Sequence, residues 1–250
     1  MKVLKKILKI LAVCACWLTV WVIVYFIVGK DIIVPSPLNV FLRLIELAGT
    51  GAFWGNVGGS VLRILIGYAA GLVLGIAVGI ATALVKVLDA FLSPAAKVIR
   101  ATPVASFIIL LFVFVAKNNI PAVTAFLMVL PVVWANVHEG IKNTDRKLLE
   151  MAQVFELKRS VVLRKIHVPQ VMPFFMAAAR TGLGLAWKAG IAAEVLVNPK
   201  YGIGAALYDS KVYLETADLF AWTVVVIIIS MILEKVLVGL AGRLWPGEKK

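Results

Sequence analysis

The sequence predicts an all-α, polytopic membrane protein with about six transmembrane helices. Three observations carry that prediction. Hydrophobic residues make up 62% of the 250 and mean hydropathy is +0.99, whereas a soluble domain is nearer half apolar. Charge-free runs long enough to cross a bilayer recur along the chain, separated by short polar segments. The surplus of positive charge, formally +13, gathers in alternate connections, which is how a membrane chain is oriented. Together these give one domain over 1–250, with spans at about 10–29, 62–85, 98–116, 118–138, 171–197 and 219–240. An amphipathic helical hairpin lies between the fourth and fifth, within 142–169.

The first span follows a start with Lys2, Lys5, Lys6 and Lys9 and no acid; Ile10 to Gly29 is then twenty residues without a charge. A secretory signal has a shorter apolar core and a small-residue cleavage site, so an uncleaved helix is expected. Cys14 and Cys16 lie in this run. Without further ligands nearby they read as buried thiols, and no metal site is expected. Lys30 to Asn56 is mixed, with Pro35-Ser36-Pro37 and then Val40, Phe41, Leu44, Ile45 and Leu47 at helical spacing. That pattern predicts an interfacial helix.

Ile64 to Val85 is charge-free, and Gly67, Gly71, Gly75 and Gly79 recur every fourth residue. On a helix they form one smooth stripe. Helices in lipid associate by close packing, so the stripe marks a tight helix–helix contact, either inside one subunit or at a seam between two. It is no phosphate loop, because no Lys-Ser or Lys-Thr follows it. Lys86 to Pro103 carries Lys86, Asp89, Lys97 and Arg100, and the short third span follows. Lys117-Asn118-Asn119 predicts a tight turn, and Pro131 interrupts the fourth span. His138 and His167 are too far apart in sequence to suggest a metal pair.

Glu150 to Pro169 is the longest polar interruption. Its apolar residues keep a helical rhythm, first Met151, Val154, Phe155 and Leu157, then Val161, Val162, Leu163 and Ile166. Two short helices with one greasy and one charged face are expected, the second stopped by Pro169. The fifth span is unusual in holding Arg180, Lys188 and Glu194. Charges inside a span are costly and face protein or water. They are either structural ion pairs or, with Trp187, the wall of a solute path in which Lys188 could attract an anion. By helical rise Lys188 and Glu194 stand about 9 Å apart along the axis on different faces, so each would find its partner on another helix. Asn198 to Asp218 is a loop with Pro199, Gly202 and Gly204, and the sixth span starts at Leu219.

Charge orients the bundle. With the N-terminus inside, inner segments hold sixteen Lys and Arg: the first four lysines, Lys86, seven from Lys142 to Lys165, and Lys235, Arg243, Lys249 and Lys250. Outer segments hold five: Lys30, Arg43, Lys117, Lys200 and Lys211. Six spans with both termini in the cytoplasm satisfy this bias, and they place Glu150 to Pro169 inside. Nucleic-acid binding is not expected, because the charges are scattered between oily runs.

The segment from Glu150 resembles the cytoplasmic signature of ABC importer permeases: Glu-Ala-Ala, three residues, Gly, nine residues, Ile, one residue, Leu-Pro. This chain has Glu150-Met151-Ala152, three residues, Glu156, nine residues, Ile166, one residue, Val168-Pro169. The spacing agrees throughout and four of seven identities match. Met151 and Val168 are mild departures. Glu156 in place of Gly is the larger one, since Gly serves where φ is positive; an altered turn or a longer first helix is expected there. The strings VPSPLNVF and RATPVASFIILLFVF, and the turn at Pro199 to Gly204, resemble the nitrate, sulfonate and taurine branch over roughly residues 32 to 240.

The resemblance implies the type I ABC importer permease fold in a bacterial cytoplasmic (inner) membrane. It implies two permease copies, as a homodimer or a pair, two cytoplasmic ATPase subunits and an extracytoplasmic solute-binding protein, with membrane lipid around the permease. Glu150, Met151, Ala152, Phe155, Glu156, Ile166 and Pro169 would form the ATPase-coupling surface. The solute would be an organic or inorganic anion such as a sulfonate, taurine or nitrate. The chain has no nucleotide loop and no catalytic set, so it is not expected to be an enzyme or to hold a cofactor. The alternative is an ion-coupled secondary transporter with Arg180, Lys188 and Glu194 as its relay. Such folds commonly carry internal repeats, and none is evident.

Overall fold

A computed structural model describes residues 2–244. Among the described residues the chain forms eleven α-helices and no strand. The apolar run after the first lysines becomes α1 (Lys2–Val28), and the interfacial segment becomes α2 (Pro37–Ala48). Ser36 starts α2 as its N-cap, accepting from the Asn39 N–H at 3.2 Å, with Pro37 in the first turn, where a proline loses no helical hydrogen bond. The glycine-striped run lies within α3 (Gly51–Leu84). This helix starts well ahead of the expected span.

The third span differs from expectation. Val98 to Ala101 belong to α4 (Lys86–Ala101), and only α5 (Val104–Phe114) continues. The two are bent by 108°. Pro103 explains the break: it drives the preceding residue out of the helical region, and Thr102 sits at φ −79°, ψ 129°. The remaining elements are α6 (Ile120–Lys142), α7 (Arg146–Val154), α8 (Arg159–Val162), α9 (Val168–Val197), α10 (Ile203–Val212) and α11 (Thr216–Leu244).

Four of these helices, α1, α3, α6 and α11, are long and apolar enough to cross a membrane, and the bent pair α4–α5 makes up to five. The fifth expected span is α9, 30 residues long. It need not be greasy, because protein sheathes it. Phe174, near its start, packs on Gly140 near the end of α6, and Val197 at its end clusters with Ile120 at the start of α6. The two helices therefore run antiparallel side by side. On the other flank of α6, the α3 glycines meet Ala122, Val129, Val133 and Val137 in ascending order, so α3 and α6 run parallel. The core lies between these three helices, with Ile64, Tyr68, Val129, Val133, Leu183 and Trp187 at its centre.

The stripe is thus filled by α6 of the same chain. A Cβ on Gly71 would lie 2.7 Å from Val129 Cβ, and one on Gly75 2.7 Å from Val133 Cβ. On Gly67 it would overlap the Ala122 carbonyl, and on Gly79 it would meet the Trp134 oxygen at 2.9 Å. At one end of the bundle α2 docks on α11 through Arg43, whose Nε donates to Asp218 Oδ1 at 2.5 Å and whose NH2 group donates to Oδ2 at 3.0 Å. At the opposite end are α4, α7 and α8.

Candidate functional site

The hairpin is built by capping. Asp145 Oδ1 accepts from the Lys147 N–H at 2.9 Å and starts α7. The Asp145 N–H donates to Gln170 Oε1 at 2.7 Å, tying this corner to α9. At the far end of α7 the Leu157 N–H reaches the Ala152 carbonyl at 2.9 Å and the Glu156 N–H reaches that of Gln153 at 3.0 Å. That bond pair is a Schellman cap, and it demands a left-handed residue at Glu156. Glu156 has φ +50°. The expected longer helix or altered turn is therefore not what forms. The first helix stops at Val154 and the turn is the one a glycine would make, held by two backbone bonds against the side chain's preference. Glu156→Gly should stabilise the protein by about 1 kcal/mol, seen as a higher melting temperature.

Pro169 does not stop the second helix either. From Arg159 the chain passes through one π-turn, Leu163–His167, directly into α9. The Val168 N–H bonds Leu163 O across five residues. Pro169 falls in the first turn of α9, where its missing N–H is tolerated. α8 and α9 are consequently one helical rod with a wide turn in it.

The hairpin buries two residues and leaves most of the others exposed. Ala152 is 4% exposed and Ile166 5%. By contrast Val154 is 80% exposed and Phe155 70%, and Met151, Leu157, Val161 and Leu163 are also exposed. Glu150 and Glu156 are exposed beside them and Pro169 is half-buried. Met151, Val154 and Phe155 belong to α7 and its C-cap, outside the long helices, whereas Leu163 lines an apolar cavity with Ile76, Ile80 and Leu84 of α3 and Val137 and Ile141 of α6.

The charges of α9 separate into two places. Glu194 is fully buried at the end near α10. Its Oε2 accepts from Ser60 Oγ at 2.6 Å and the Gly204 N–H at 3.0 Å, and its Oε1 from Arg63 at 2.9 Å. Arg63 also donates to the Tyr201 carbonyl. The Ile203 N–H donates to Ser60 Oγ at 2.8 Å and the Gly202 N–H to Asn56 Oδ1 at 3.1 Å. A Cβ on Gly202 would meet Glu194 Oε2 at 2.8 Å, so the loop closes on the carboxylate only because it lacks a side chain there. Sequence reasoning found Glu194 but not its partners Ser60 and Arg63 on α3, nor Asn56, which holds Gly202 beside them.

Arg180, Trp187 and Lys188 instead share a cavity of about 240 Å³ between α9 and α11, with Thr181, Ser230 and Glu234. Trp187 is almost completely buried, and its Nε1 donates to the Val226 carbonyl at 3.1 Å. Lys188 is exposed on the side of α9 away from Glu194. Glu234 was not anticipated as a neighbour of these cations.

Residues 71–247 match the family model described as "Binding-protein-dependent transport system inner membrane component". The chain is 31% identical to SsuC of Escherichia coli, a permease named provisionally for aliphatic sulfonates, over 85% of this chain and 81% of that protein. It is 26% identical to the taurine transport system permease protein TauC of Escherichia coli, over 94% and 88% respectively. Its fold resembles a chain of the MetNI methionine ABC transporter in an inward-facing conformation, with TM-score 0.60 and 13% identity over 78% of this chain and 96% of that one. The hairpin, α6, α9 and the part of α3 from Gly71 onward fall inside the matched region, and the chain belongs to the family of inner membrane components of binding-protein-dependent transport systems, the permeases of ABC transporters.

Proposed function

We propose that this permease forms the path of an ATP-driven importer for a small anion and is coupled to a separate ATPase through residues 150–169. Two copies, or a pair of related permeases, line the path. An external binding protein delivers the solute, and two ATPase subunits on the cytoplasmic side, where both termini lie, drive the cycle. The observation that carries the coupling is the outward-turned apolar surface of Met151, Val154 and Phe155. Such a patch beyond the membrane-facing runs is the mark of a partner surface. The continuous rod from Arg159 to Val197 gives a push at the hairpin a stiff route into α9. The family membership displaces the ion-coupled alternative.

Sulfonate or taurine-like anions are the favoured solutes. The names of the sulfonate and taurine relatives support this, and so do Arg180 and Lys188, which line one cavity beside α11. Cations inside a bundle are functional candidates by default.

Phe155→Asp tests the coupling. The side chain is largely exposed, so the permease should still insert and fold. ATP-driven uptake should fall more than about tenfold, the scale of losing one interface anchor, and the ATPase should no longer co-purify. Normal uptake with the ATPase still attached would refute the docking role. Ala152→Asp should also abolish uptake, but Ala152 is buried in the hairpin, so that change collapses the lever as well as its surface.

A further inference from the structure

We propose that the elbow between α4 and α6 is a binding site for the phosphate headgroup of an anionic phospholipid. The observations begin with α4. Lys86, Asp89, Ser93, Lys97 and Arg100 share one of its faces by helical spacing, while Val87, Phe91 and Val98 are exposed on another. A helix so divided lies in the membrane interface. The 108° bend at Thr102–Pro103 turns the chain from that plane into α5, whose exposed Ile109, Leu110 and Val113 face acyl chains. Arg100 stands four residues before α5 begins, so its guanidinium lies at headgroup depth.

Behind this face is a cavity of about 260 Å³ between α4 and α6, lined by Lys97, Arg100, Trp134 and His138 together with Asp89 and Glu139. It has room for far more than one water, whose share of liquid volume is about 30 Å³. Trp134 anchors its floor, donating from Nε1 to Thr82 Oγ1 at 2.8 Å. Thr82 Oγ1 in turn lies 3.1 Å from His138 Nδ1.

Charge decides what the cavity takes. Its two acids are already engaged. Asp89 accepts from Ser93 Oγ at 2.7 Å and lies 3.9 Å from both His138 Nδ1 and Lys142 Nζ. Glu139 accepts from Asn143 Nδ2 at 2.7 Å. Among the described residues neither Lys97 nor Arg100 forms an ion pair. Arg100 makes only a long 3.4 Å bond from Nε to the Ala96 carbonyl. Two cations at the rim of a cavity with an exposed apolar flank fit a group that joins a phosphate to hydrocarbon. Basic pockets between membrane helices on the cytoplasmic side hold such headgroups. The leaflet rests on the orientation proposed above; the site itself does not.

Native mass spectrometry of the purified permease tests this, offering phosphatidylglycerol and phosphatidylcholine with identical acyl chains. Phosphatidylglycerol should be retained preferentially, and K97Q/R100Q should weaken it by about thirtyfold, the effect of two phosphate contacts. R146Q/K147Q, an equal loss of charge on the same side, should leave it bound. Equal retention of the two lipids by the wild type, which needs no variant, would overturn the proposal. So would phosphatidylglycerol held unchanged by K97Q/R100Q, or full displacement by millimolar inorganic phosphate, which would make the site one for the free ion. None of these readouts depends on ATPase coupling, so their failure is separate from a failure of the importer reading.

Discussion

Leucine in place of Gly71 is expected to leave almost no folded permease in the membrane. At Gly71 the side of α3 lies so close to α6 that even a methyl group would stand 2.7 Å from Val129 Cβ and 3.2 Å from the Phe126 carbonyl. Helices in lipid have no hydrophobic force to hold them together, and their contact depends on such close approach. Alanine alone should cost about 1–3 kcal/mol, the usual range for overpacking, and leucine should exceed what a marginally stable fold tolerates. Fluorescence-detected size-exclusion chromatography after stepwise heating would measure both. Gly58→Ala, on the same helix with nothing within 4 Å of the new carbon, should behave as wild type. Val129→Ala should partly rescue Gly71→Ala, because it removes Cγ1, 2.9 Å from the new carbon, although Cβ at 2.7 Å remains. A fully stable Gly71→Leu would mean that α3 and α6 are not in contact as described.

The second large effect is expected at Glu194. Its carboxylate is completely buried and receives Ser60, Arg63 and the Gly204 N–H. Glu194→Ala would strand a guanidinium that is itself mostly covered. Removing one partner of a buried pair costs about 3–5 kcal/mol, largely from the charge left behind. The melting temperature should fall sharply. Arg63→Ala in the Glu194→Ala background should cost much less than it does alone, since the orphaned charge has gone. Additive losses would show that the two residues do not act as a pair. Glu194→Gln keeps the shape and part of the hydrogen bonding, so it should fall between wild type and alanine.

Much of this architecture was legible in the chain. The apolar runs marked α1, α3, α6 and α11 because lipid demands long charge-free helices, and the period of four in Gly67 to Gly79 marked a contact face. What that face touched was not written there, since a stripe names no partner. The hairpin showed in the rhythm from Met151 to Ile166. Its turn did not, because Glu156 carries no sign of the left-handed residue that the Schellman bonds impose on it. Pro103 and Pro169 have opposite outcomes from the same residue type. The first breaks a span because Thr102 must leave the helical region. The second sits just after a π-turn, and the helix runs on through it. Glu194 stood out as an anomaly in an apolar run, but its partner Arg63 lies 131 residues earlier in sequence, and only the parallel course of α3 and α6 brings that helix alongside.

The glycine seam on one flank of α6 and the Gly140–Phe174 contact on the other weld three helices into a single slab. Tightly interlocked surfaces jump between arrangements; they do not stretch. Any alternation between an outward and an inward mouth must therefore swing this slab whole, like a door on its frame. The give has to come from more lightly held members around it, α1 above all, whose described side chains are mostly exposed.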